Sequence, residues 1–427
     1  MQASHKTLDD LAIFGGEPAF TEKQHIGRPA VGDRDRLLER INDILDSHRF
    51  TNDGKYVREF ERRVAEMAGV RHCVATCNGT VALELAIRAL GLQGEVIIPS
   101  FTFVATAHAL QWQGITPIFC DIDPGTHNID AVQVEQLITP RTTGVIGVHL
   151  WGRPCDVERL ERIACEHRLG LLFDAAHAFA CSHKGRMIGS FGDAEVFSFH
   201  ATKFVNTFEG GAVATNDSNV AKNVRLMRNF GFAGFDNVTC LGTNGKMNEV
   251  CAAMGLTTLD SLDEFVAANR RNYEQYRRQL GNIPGVELVT YDEMERSNYQ
   301  YVVVTVDANG MDVSRDDLIG ILHAENVLAR RYFYPGCHRM EPYRSYPSCT
   351  IRPLPRTEAL AERVLVLPTG VCVESDAIAS IGHILRLVVA EHREVSRRLK
   401  RIHGNAVAAS KTDRGSLAGG GHSRKRL

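Results

Sequence analysis

Short apolar runs alternate with helix-period stretches through the first half of the chain. Glu95 to Ile98, Pro117 to Asp121, Gly144 to His149, Leu171 to Asp174 and Ala194 to Phe199 are apolar over strand length, the pattern of strands buried on both faces. Between them, Thr102 to Gln113, Asp130 to Ile138 and Asp156 to His167 show helical patterning, as does Val81 to Leu90 after Asn78-Gly79-Thr80. Strands parted by helices of this length make βαβ units, and so an α/β fold with a large, mostly parallel sheet. Reactive groups then gather on loops at the C-terminal strand ends. Asp174 and Ser198 fall at two such ends.

After Asn248 a long helical pattern (Val250, Met254, Leu259, Leu262, Phe265, Val266) runs through an Arg-rich stretch to Leu280, as one helix leaving the sheet. Beyond it, Tyr299 to Val306, Ser314 to Ala324, Val327 to Phe333 and Asp376 to His392 predict a smaller α+β domain. The expected division is 1–260 for the large domain with its N-terminal segment and 261–403 for the small C-terminal one. Residues 404–427 are rich in Gly, Ser, Lys and Arg and nearly free of large apolar residues, which predicts a disordered tail.

Composition narrows the class. At 427 residues, 44% hydrophobic and 23% charged, the chain reads as an ordinary soluble protein. A net charge of −2 provides no field to draw nucleic acid, so none is expected as a partner. Eleven cysteines without a CxxC pair read as reduced packing residues. His72, Cys73 and Cys77 lack a second ligand pair of matching spacing, so no metal site is assigned. No apolar run reaches the roughly 20 residues that span a bilayer, and Met1 to Asp10 has no cationic-then-apolar signal. A cytoplasmic protein with no membrane partner is expected.

The densest chemistry lies in Ser198-Phe199-His200-Ala201-Thr202-Lys203, with Glu209-Gly210-Gly211-Ala212 close behind. A hydroxyl and an amine share one turn after an apolar strand. An amine placed there suits imine formation with an aldehyde, and the commonest aldehyde cofactor is pyridoxal 5′-phosphate (PLP). Upstream, Phe173-Asp174-Ala175-Ala176-His177-Ala178-Phe179 offers an acid. A carboxylate ending an apolar strand is costly to bury unpaired; backbone amides or a pyridinium N–H would each satisfy it. A pyridinium near ~4 Å would contribute roughly 4 kcal/mol of gross Coulomb energy at an effective dielectric of about 20, and would keep the ring electron-withdrawing. His177 is then placed to bond a phenolic oxygen. Gly79 and Thr80 open a helix whose N–H groups make an anion site, Ser198 adds a second phosphate donor, and Phe103 offers a face to a pyridine ring. Each group alone also has an ordinary structural use, as a helix cap, a core aromatic or a solvated lysine. Together they fill every role of one cofactor site.

In their order along the chain these segments resemble the DegT/StrS family of PLP-dependent nucleotide-sugar aminotransferases, which has the fold type I (aspartate aminotransferase-like) architecture. The resemblance runs from about Leu11 to His392. It includes Val96 to Thr106, Val148-His149-Leu150-Trp151-Gly152-Arg153-Pro154, the Asp174 and Lys203 segments, and Gly242-Thr243-Asn244-Gly245-Lys246-Met247-Asn248-Glu249. Leu11 to Gly16, Phe199 to Lys203, and Phe333-Tyr334-Pro335-Gly336-Cys337-His338 leading into Glu341-Pro342-Tyr343-Arg344 are similar to members that aminate C4 of dTDP-4-keto-6-deoxyglucose on the route to desosamine.

The resemblance implies that Lys203 holds PLP as an imine, Asp174 pairs with the pyridine nitrogen, and His177 lies near the phenolic oxygen, where many relatives have Gln. It implies that Phe103 stacks on the ring while Gly79, Thr80 and Ser198 hold phosphate. Asn244 would reach the phosphate of the partner's cofactor, making a homodimer with shared sites. The implied reaction moves an amine from L-glutamate to a dTDP-linked keto-deoxysugar, giving a dTDP-4-amino-4,6-dideoxy sugar for a glycosylated natural product. For the substrate's diphosphate and thymine, Arg28, Lys55, Arg330, Arg331, Tyr332 and His338 are candidates by location. A branch of the family that performs dehydration carries histidine in place of the lysine; Lys203 favours transamination. Phe208 stands where many members have Gly. The alternatives are 3-keto amination, a PLP-dependent sugar dehydratase, and a regulator that retained the fold.

Overall fold

The computed structural model describes residues 6–307, 309–345 and 352–402; the tail expected at 404–427 lies outside them. Its strands in chain order are β1 (His72–Thr76), β2 (Glu95–Pro99), β3 (Thr116–Cys120), β4 (Thr142–Val148), β5 (Gly170–Asp174), β6 (Ser182–His183), β7 (Arg186–Met187), β8 (Ala194–Ser198), β9 (Gly211–Thr215), β10 (Val286–Leu288), β11 (Val302–Val306) and β12 (Val364–Leu367). Among the described residues seven form one sheet, in the order β1-β9-β8-β5-β4-β2-β3. From β8 to β3 every pairing is parallel, whereas β9 runs antiparallel to both β8 and β1.

The apolar runs are continuous because both faces of this sheet are covered. Val96, Ile98, Leu172 and Val196 pack towards the helices Gly79–Ala89 and Ser218–Met227. Their neighbours Ile97, Leu171, Phe173 and Phe197 pack on the other side, against Lys55–Ala68 and Val157–His167. Side-chain caps start several of these helices. Asn78 accepts from the Val81 N–H at 2.8 Å, and Asp130 from Val132 at 2.9 Å.

A second, antiparallel sheet (β10-β11-β12) packs its Val302, Val304, Leu365 and Leu367 with residues of Leu262–Leu280, Arg315–Ala324 and Ser375–Ala390. Its opposite side (Val303, Val364, Val366) meets Phe101, Trp151, Tyr301 and Phe333 in an aromatic cluster beside the large sheet. The N-terminal segment is tied to this region by the buried carboxylate of Glu325. It accepts from Lys6 Nζ at 2.7 Å and from the N–H groups of Ala12 and Ala19 at 2.8 and 2.6 Å.

Two expectations change. The single helix after Asn248 is two, Glu249–Asp260 and Leu262–Leu280, parted at Ser261. The first is buried on nearly every side in the large sheet's core, whereas the second buries one stripe against the small sheet, and Arg40 and Arg63 hold Asp260 at the junction. Within 327–333 no strand forms among the described residues, and only isolated bridges occur, Val327 to Gln24 and Arg330 to Val366. No helix of the described residues is long and apolar enough to cross a membrane.

Candidate active site

The parallel strands end on a cavity of about 520 Å³. Asp174 closes β5 and Ser198 closes β8, so their side chains emerge where the chain leaves the sheet. Lys203 follows on the turn after β8, where its N–H donates to the His200 carbonyl at 2.8 Å. Its Nζ donates to the hydroxyl of Tyr301 at 3.0 Å. The Asp174 carboxylate is buried and accepts from the Thr106 hydroxyl at 2.8 Å and the Ala176 N–H at 3.1 Å.

Burial shapes the protonation of all three central groups. It lowers the Lys203 amine to about 8, against the opposing pull of Asp174. It raises the Asp174 carboxyl above its ordinary range, opposed by Thr106, Ala176 and the Lys203 charge. It drives His177 well below the usual imidazole range, reinforced by Lys203. His177 is therefore neutral. The Trp151 N–H donates to its Nδ1 at 3.3 Å, an assignment that leaves the ring proton on Nε2 as a donor.

The anion end of the cavity depends on two missing side chains. A Cβ at Gly79 would lie 3.1 Å from Ser198 Cβ, so the helix start and the end of β8 are in close contact. A Cβ at Gly211 would lie 2.6 Å from backbone atoms of Asn78 and Gly79, so glycine alone lets β9 run beside that helix start. The result is a set of backbone N–H groups with the Thr80 and Ser198 hydroxyls nearby, suited to phosphate. These residues fit PLP. Gly79 keeps the cradle open, the amine has a lowered pKa, and the buried carboxylate takes hydrogen bonds from neutral donors alone, which leaves it short of a cation.

Gly79, Thr80, Phe103, Asp174, His177, Ser198 and Lys203 all line this one cavity, with Arg330 and Tyr332. Phe103 is 58% exposed, its ring tilted against that of Phe333 with centroids 6.5 Å apart. Arg331 faces an adjoining groove and pairs with Asp316 at 3.2 Å. Arg28 and Lys203 both border a separate small pocket. The structure does not bring Lys55 or His338 to the cavity. Lys55 pairs with Asp43 at 2.5 Å. His338 is buried, bonded to Ser100 at 2.6 Å and Glu358 at 3.1 Å. Asn244 is exposed, in a bridge with Asn229. Sequence reasoning assigned no role to Thr106, the Trp151 amide or Tyr301. Thr106 and Trp151 lie inside segments that carry the family resemblance, a usable signal; Tyr301 has none.

The family described as the DegT/DnrJ/EryC1/StrS aminotransferase family matches residues 32–386. The dTDP-4-amino-4,6-dideoxy-D-glucose transaminase of Shigella dysenteriae is 36% identical over 371 residues, covering 87% of this chain and 98% of its own. The GDP-perosamine synthase of Caulobacter vibrioides is 37% identical over 322 residues, covering 73% of this chain and 84% of its own. Among solved structures, DesI in the presence of its TDP-sugar product is 52% identical, with 92% of this chain and 100% of that chain covered and a TM-score of 0.89.

Proposed function

Because this chain belongs to the DegT/DnrJ/EryC1/StrS aminotransferase family, we propose that it moves an amino group from L-glutamate to the C4 ketone of a dTDP-4-keto-6-deoxyhexose, with PLP as cofactor. The product is a dTDP-4-amino-4,6-dideoxy sugar. One observation carries the chemistry: the Lys203 amine, the Asp174 carboxylate and the helix start at Gly79 meet on one cavity. The choice of C4 and of the thymidine nucleotide rests on likeness to the Shigella transaminase and to DesI with its TDP-sugar.

PLP would supply an aldehyde that exchanges amines and a protonated ring that withdraws electrons from the carbon losing its proton. Lys203 holds the aldehyde and Asp174 pairs with the ring nitrogen. The N–H groups at Gly79, with Thr80 and Ser198, take the phosphate. Phe103 would cover the ring, and His177 would donate from Nε2 to the cofactor's phenolic oxygen. When not holding the cofactor, Lys203 would take up and return a proton at Nζ. That task needs a neutral amine, and a pKa of about 8 leaves part of the population neutral at physiological pH. Arg330 and Tyr332 offer a cation and a ring to the diphosphate and base.

The proposed enzyme is a homodimer in which Asn244 reaches the phosphate of the partner's cofactor. In support, the loop before Asn244 exposes Phe230, Phe232, Phe235, Val238 and Leu241, apolar side chains that a second copy could cover.

Incubation with glutamate and a panel of 3-keto and 4-keto dTDP-sugars, read by mass and NMR, tests the reading. Amination at C4 is expected, and Lys203→Ala should abolish it. A C3 amine or a dehydrated sugar would overturn the assignment, as would wild-type turnover by the Lys203→Ala variant.

A further inference from the structure

We propose that Tyr301 is the seat of the Lys203 amine whenever that amine is not bonded to cofactor, and that its hydroxyl holds Nζ where protons are exchanged. This rests on the role given to Lys203 above. The hydroxyl lies 3.0 Å from Nζ, and among the described residues no other hydrogen bond reaches that atom. The phenol arrives from the small sheet, one residue before β11, while Lys203 and Asp174 arrive from the large one. Its ring is fixed, with centroids 4.3 Å from His177, 5.5 Å from Trp151 and 6.2 Å from Tyr332. Its carbonyl accepts from the Tyr291 hydroxyl at 2.8 Å.

A phenol suits both states of the amine. It accepts from an ammonium and donates to a free amine, so the contact survives each gain and loss of a proton. Burial raises the Tyr301 pKa well above its ordinary value, which keeps it a neutral hydroxyl throughout. The other titratable groups on this cavity are Asp174 at the end of β5 and His177 just beyond it, His200 and Glu209 on the lysine's own loop, and Arg330 and Tyr332. Asp174 opposes the lowering of the lysine pKa through its charge. Tyr301 makes the direct contact.

Tyr301→Phe keeps the ring and removes the oxygen. In cofactor-free protein, the rate at which cyanate modifies Lys203, followed by peptide mass spectrometry against pH, gives the amine's pKa without any turnover. Wild type should titrate at about 8. Tyr301→Phe should titrate about one pH unit lower, because the ammonium loses its acceptor and the free amine loses less. In the loaded enzyme, solvent exchange of the α-hydrogen of glutamate should slow about tenfold, in line with a general-base contribution. An unchanged midpoint overturns the proposal. So does an equal shift in Tyr332→Phe, whose ring shares the cluster. The titration needs no sugar, so failure of the proposed amination would leave this result readable.

Discussion

At the scale of single residues, Asp174 and Lys203 bias each other's protonation through their charges without forming a direct ion pair. The carboxylate opposes the lowering of the amine's pKa, and the amine keeps the carboxyl from rising further. Asp174→Asn keeps the side-chain shape and the Thr106 contact but removes that charge. It should lower turnover about a hundredfold, ~3 kcal/mol, the cost of leaving a buried cation without its partner. Steady-state rates check this, with thermal melting as the control for folding. Both residues were legible in sequence because each follows an apolar strand, which locates its side chain at the sheet's end. Tyr301 was not. Its partner is 98 residues away, and nothing local distinguishes a tyrosine at a strand start from a core aromatic. Lys55 and His338 lie away from the cavity for a related reason: a need for cations names a residue type, not a place.

At the scale of elements, β9 is the piece the hydrophobic pattern hid. Gly211-Ala212-Val213-Ala214-Thr215 is short and small-sided, so it reads as the loop behind a lysine rather than as a strand. Those small residues are what the packing requires, since Gly211 borders the backbone of Asn78 and Gly79. Gly211→Ala has no flexible neighbour to displace. It should cost ~2 kcal/mol of stability and shift the helix start that faces the phosphate. A lower melting temperature together with weaker PLP binding, by titration of the cofactor's absorbance, is the expected pair of results. Phe208 just ahead adopts φ 61°, the left-handed backbone that glycine takes without strain. Its departure from the family's usual Gly therefore leaves the loop in a glycine-like conformation. The five parallel-sheet strands were readable because burial on both faces writes itself as an apolar run. The break at Ser261 was not, because two helices with different partners can share one continuous pattern.

At the scale of the whole molecule, the proposed sharing of sites has a direct test. Lys203→Ala and Asn244→Ala subunits are each expected to form impaired homodimers. A mixed dimer would hold one site with its own Lys203 and the partner's Asn244 intact. Mixing after mild dissociation should therefore restore activity that neither variant has alone, measured as amine transfer at constant total protein. Self-contained sites would give only the average of the two preparations.

The anchorage of the opening segment has a temporal meaning. Lys6 and Glu325 are separated by 319 residues, so during synthesis the first turns of the chain wait until most of it has left the ribosome before their acidic partner exists. A translation product that stops short of Glu325 leaves those turns unmoored and Leu11 without the pocket that covers it. Such long-range closure comes late in assembly, and makes this junction a seal on a finished protomer rather than a seed for it.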